Sequence, residues 1–175
     1  MNWEGYKTSS SVLTPSHLKE FIEFVSIQNE ESMRGKLLVT CSFPEEQLQE
    51  IIIKFLVEGT DSEKLIQGFQ APVGSLSSRT ILAHCLGLIS DLEKNDINAL
   101  RKIRNRYAHD YSVDMNDQQV VSLANSLHHA AKDHEDKKVD TRGKIITGAV
   151  GLIINLVNRP HYVSKKRLTQ SDWPR

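Results

Sequence analysis

A capping box opens the most clearly helical segment of this chain. Ser90 precedes Glu93 by three residues. In that arrangement a serine hydroxyl and a glutamate carboxylate satisfy backbone N–H groups that a helix start otherwise leaves orphaned. Leu92, Leu100, Ile103 and Tyr107 then recur at helical spacing. The sequence therefore predicts a long helix running into Ile103-Arg104-Asn105-Arg106-Tyr107-Ala108-His109-Asp110-Tyr111. A helix apolar on one stripe has to bury that stripe against neighbours, and the rest of the chain offers only more helices.

Upstream, residues 1–13 are polar, Ser-rich and aperiodic, which predicts a flexible arm. Thr14-Pro15 is an N-cap followed by a first-turn proline, opening a helix to about Gln28 along Leu18, Phe21, Ile22 and Val25. A second helix is expected over 30–42, which Pro44 either kinks or replaces with a new one. Leu48, Ile51, Ile52, Phe55 and Leu56 form an apolar stripe that Gly59 closes. Asp61 begins a short helix through Ile66, and the Gly- and Pro-broken stretch 68–75 is a loop. Ser75 caps a helix carrying Leu76, Ile81, Leu82, Cys85 and Leu86. Further helices are expected over 117–132 and from Asp140 or Thr141 through Asn158, joined by a charge-dense connector. No stretch alternates as a strand would, and no internal repeat is present. The expectation is an all-α fold, a single domain of about six to eight helices spanning 14–158. Residues 159–175, with Arg159, Lys165, Lys166, Arg167 and Arg175 against Asp172, are expected to be a basic, disordered tail.

Composition narrows the partners. Lys+Arg and Asp+Glu both number 22, so no global field draws in nucleic acid, and an anionic partner needs a local patch. Cys41 and Cys85 lack metal-type spacing and are expected as small core residues in a reducing compartment. No apolar leader and no run long enough to span a bilayer is present, so a cytoplasmic protein with no membrane association is expected. His128, His129 and His134 match no zinc spacing, His84 is expected to pack in the core, and no metal or other cofactor is expected. Gly143, Gly148 and Gly151 fall inside a helix, where they permit close packing.

The chemistry is concentrated at the end of the long helix. Metal-free cleavage of an RNA phosphodiester needs a base for the 2′-hydroxyl, an acid for the leaving oxygen and cations for the developing charge. His109 is the acid/base candidate, because imidazole changes charge near neutral pH. Arg104 can grip phosphate through a bidentate fork. Asn105 stands four residues before His109 on the same helix face, where it can orient the ring, and Arg106 and Tyr111 are supporting candidates for binding RNA. Arg104 and His109, five apart, point about 140° away from each other round a regular helix. Three readings stay open: a catalytic site, an RNA- or nucleotide-binding site without cleavage, and a polar helix end whose cations complement the C-terminal dipole. Arg79 is read as a brace for the loop before it, through the loop's carbonyls.

Two stretches resemble known families. Ala71-Pro72-Val73-Gly74-Ser75-Leu76-Ser77-Ser78-Arg79 followed by Leu86-Gly87-Leu88-Ile89 resembles the central signature of the mannitol repressor family, over roughly residues 33–125. That resemblance implies an all-helical regulator without an obvious DNA-binding motif. Nothing here supplies one, since no helix-turn-helix with a basic recognition helix is visible. Arg104-Asn105 followed by His109, with Tyr111 two further on, resembles the motif of the HEPN superfamily, which includes metal-independent ribonucleases and toxins. The resemblance implies catalysis by Arg104 and His109 in a homodimer whose two motifs face each other. It also implies RNA, or a regulatory or antitoxin protein, as partner. Two functions follow as expectations: a HEPN-like metal-independent endoribonuclease, or a non-catalytic regulator acting through protein contacts.

Overall fold

The computed structural model describes residues 33–174, apart from the side chains at 33, 34, 36, 38, 41 and 42. The expected arm and first helix lie outside the described residues, as does the side chain of Cys41. Seven helices follow in order among the described residues: α1 (Met33–Phe55), α2 (Thr60–Ile66), α3 (Leu76–Cys85), α4 (Asp91–His109), α5 (Gln118–Asn125), α6 (Thr141–Val157) and α7 (Arg159–Ser164). The all-α expectation holds. The β pairing among the described residues is an isolated bridge between His134 and Lys137. No helix among them is long and apolar enough to cross a membrane.

The centre of the fold is α1, which packs against α2, α3, α4, α6 and α7, while α4 also touches α3, α5 and α6. The shared core is built from Leu37, Leu48, Ile51 and Ile52 of α1, Ile97, Leu100 and Ile103 of α4, and Ile145, Leu152 and Leu156 of α6. Each side chain of this size stabilises by roughly 1.5–3 kcal/mol when fully buried. That bears on the two expectations for Pro44: no new helix begins there, and the residue lies inside α1. It removes one backbone donor, and the buried residues flanking it in the same helix outweigh the loss.

Local signals set most helix starts. Ser75 and Ser78 form a capping box on α3, Ser90 and Glu93 form one on α4, and Asp140 accepts from the Gly143 N–H to cap α6. At the end of α3, Gly87 has φ +69°, and the N–H groups of Gly87 and Leu88 donate to the His84 and Ala83 carbonyls. This double closure needs a left-handed residue, which glycine supplies without a Cβ penalty.

Long-range polar contacts bear on two differences from expectation. The helix expected to reach residue 132 stops at Asn125: the Ser126 and Leu127 N–H groups close its last turn, and Asp96 of α4 then takes the donors that follow. Its carboxylate, fully buried, accepts from the His128 N–H (2.7 Å), the His129 N–H (3.0 Å) and His129 Nδ1 (2.8 Å). The connector then lies against α6 at Gly148 and Gly151. A Cβ added there would stand 3.0 Å from Leu127 Cδ1 and from His129 Cβ respectively. The segment from Arg159, expected as a disordered tail, instead folds as α7 and returns to α1. There the Leu168 N–H donates to the Phe55 carbonyl (2.8 Å) and Arg167 pairs with Glu58 (3.0 Å).

Two residues expected in the core are not there. Cys85 is exposed, and half-buried His84 places Nε2 2.9 Å from Asp91 Oδ1 at the surface. Both sit in the last turn of α3, off the buried stripe of Leu76, Arg79, Thr80 and Ala83.

Candidate functional site

The motif identified in the sequence occupies the last turns of α4. Tyr107 and Ile103 face the core, which fixes the rotation of the helix and so the direction of every other side chain. Lys102, Asn105, Arg106 and His109, at spacings of three, four and seven, share one face. They form one wall of an open groove of about 660 Å³. Asp110 follows at the helix end, and Gln118, Gln119, Ser122 and Leu123 of α5 form the other wall.

Arg104 is not part of this groove. It is half-buried beside the groove, where its Nε makes one long contact, 3.4 Å, with Asn105 Oδ1. Asn105 and His109 both line the groove, and Arg104 is not among its lining residues. His109 is exposed and has no hydrogen bond or ion pair among the described residues. Tyr111 is 92% exposed and is not among the residues that line this groove.

Arg106 is committed to the fold. Its Nε donates to Asp117 Oδ1 (3.0 Å) and its Nη2 to Oδ2 (2.7 Å), a two-point clamp between the end of α4 and the start of α5. Asp117 also caps α5 by accepting from the Gln119 and Val120 N–H groups. The Arg106 hydrogen bond, aided by the Val120 N–H, pulls the Asp117 carboxyl down to about 2, and the same bond raises the Arg106 guanidinium further above its ordinary value. The Ser112 hydroxyl and N–H likewise hold Asp110 below the usual carboxylate range.

Arg79 sits buried beneath the 68–75 loop. It donates to the carbonyls of Val73 (3.2 Å), Ile66 (3.1 Å) and Glu45 (3.3 Å), with the Glu45 carboxylate 3.6 Å away. No group of three or more His, Cys, Asp or Glu side chains that could hold a metal ion occurs among the described residues.

Sequence reasoning missed the α5 wall and Lys102. Lys102 was legible, standing three and seven residues before Asn105 and His109 on one helix face. The α5 residues were not, because the irregular segment 110–117 decides which face of α5 meets α4.

No family model matches the chain, and no curated protein matches it. Among solved structures, a chain from the X-ray structure of the MtlR–HPr complex of Escherichia coli superposes with a TM-score of 0.61 at 17% identity. The match covers 86% of this chain and 99% of that one. At this identity the likeness concerns architecture. The protein has a mannitol-repressor-like helical fold.

Proposed function

We propose that the protein is a non-catalytic regulator that acts by contact with another protein, in the manner of the mannitol repressor. The observation that carries this reading is the likeness, along nearly the whole of the compared chain, to a component of a protein–protein complex. The place of Arg104 outside the groove that His109 lines supports it. That the sequence shows no helix-turn-helix motif fits regulation without direct reading of DNA. Size-exclusion chromatography with HPr from the same organism tests it. Co-elution of the two proteins, retained by His109→Ala, is expected. Separate elution at micromolar concentrations counts against it.

A second reading, the metal-independent endoribonuclease, draws support from Lys102, Asn105 and His109 lining one groove. It requires a homodimer in which the partner's Arg104 completes the site. Its test is mixed cellular RNA in EDTA with wild type, Arg104→Ala and His109→Ala. Fragments with 2′,3′-cyclic phosphate ends from wild type alone would establish it, and equal behaviour of all three proteins would end it.

A further inference from the structure

Between Asn98 and His109, α4 carries Arg101, Lys102, Arg104, Arg106 and His109 and no carboxylate, in a chain whose charges sum to zero. Positive charge is thus concentrated on about 18 Å of one helix. Arg106 is neutralised by Asp117. Arg101, Lys102 and Arg104 form no ion pair among the described residues. Arg101 reaches only Asn98 Oδ1, at 3.4 Å, and its buried Nε has no hydrogen-bond partner among those residues. Arg79, Arg159 and Arg167, by contrast, each face a carboxylate and donate to a backbone carbonyl.

We propose that this face of α4 docks an acidic segment of the partner protein. Arg101, Lys102 and Arg104 receive its carboxylates, and the amides of Asn105 and Gln118 in the adjoining groove receive its backbone. The proposal rests on the regulatory reading above and names the surface and the partner chemistry for it. The layout favours a peptide over a nucleic acid. The three cations lie within one helical turn on a single broad arc, Arg101 standing between Arg104 and Lys102 round the helix, so a short anionic segment reaches all three. A chain of zero net charge also lacks the long-range field that gathers a polyanion. The carboxylate lining the groove, Asp110, accepts from the N–H and hydroxyl of Ser112.

The test is fluorescence anisotropy of a labelled peptide of alternating Glu and Leu against the full chain at low and moderate salt. Oligo-uridine of equal length is run beside it. Arg101→Glu/Arg104→Glu is compared with Lys165→Glu/Lys166→Glu, which reverses two charges elsewhere, and Arg101→Gln/Arg104→Gln repeats the experiment without reversal. The expected result is peptide binding weakened by salt and reduced about tenfold or more by both α4 variants but not by the control, with melting curves unchanged. Equal loss in the control overturns the proposal, as does preferential binding of oligo-uridine that the α4 variants abolish. Binding of HPr that survives Arg101→Glu/Arg104→Glu overturns this docking site and leaves the regulatory reading standing. A chain that binds neither HPr nor the peptide overturns both.

Discussion

The two halves of α4 put polar side chains to opposite uses. In the N-terminal half, Glu93 and Asp96 are buried, and their carboxylates are engaged on several sides. Glu93 accepts from Arg159 Nη2 (2.6 Å) and Nη1 (2.8 Å) and from the Ser90 N–H (2.7 Å). Asp96 holds the 128–129 backbone. In the C-terminal half Arg101, Lys102, Arg104 and His109 are partly or fully exposed, and among them only long amide contacts are made. A saturated polar group cannot recognise a ligand without giving up its partners, whereas an unsatisfied one near solvent can. The first half therefore holds α4 in place, and that lets the second half present a fixed set of groups.

Substitutions that break the first half have the largest expected effects. Asp96→Ala strands two part-buried N–H groups and the His129 ring, and about 3 kcal/mol of stability should be lost, read as a shift of the urea midpoint. Glu93→Gln weakens the clamp to Arg159 and Ser90 and should cost about 1–2 kcal/mol in the same measurement.

Acid sharpens the comparison. Burial pushes the Glu93 carboxyl up, but the Arg159 and Ser90 hydrogen bonds outweigh it and hold the carboxyl below 4.5. Arg106 pulls Asp117 from 3.8 to about 2. Both folded values are depressed, so the stability they contribute is present above the unfolded values. It is lost as pH falls from roughly 4 toward 2. Urea titrations over that range should show a falling midpoint, and Glu93→Gln and Asp117→Asn should each flatten the fall. Arg101→Gln/Arg104→Gln, in the second half, should move the neutral-pH midpoint by less than about 0.5 kcal/mol.

How much was legible in the sequence follows from the range of each interaction. The capping boxes at Ser75 and Ser90 and the cap at Asp140 act within three residues, so these helix starts could be read directly. The Asn105–His109 face follows from helical spacing alone. The end of α5 could not be read, because it depends on Asp96, more than thirty positions from the N–H groups it captures. The folding of α7 depends on Glu93, 66 positions from Arg159, and composition made the same residues look like a solvated tail. Arg106 reads in the sequence as a ligand-binding cation because its partner, Asp117, lies across an irregular loop. The brace position of Arg79 was easier to read, since a loop broken by Gly and Pro leaves carbonyls in need of donors.

The most direct test of the division within α4 is an NMR titration of the isotope-labelled chain with HPr, following backbone amides. The account predicts shifts at residues 101–109 and 118–123 with little change at 91–97. Shifts confined to other helices, or none at all at saturating HPr, would contradict it.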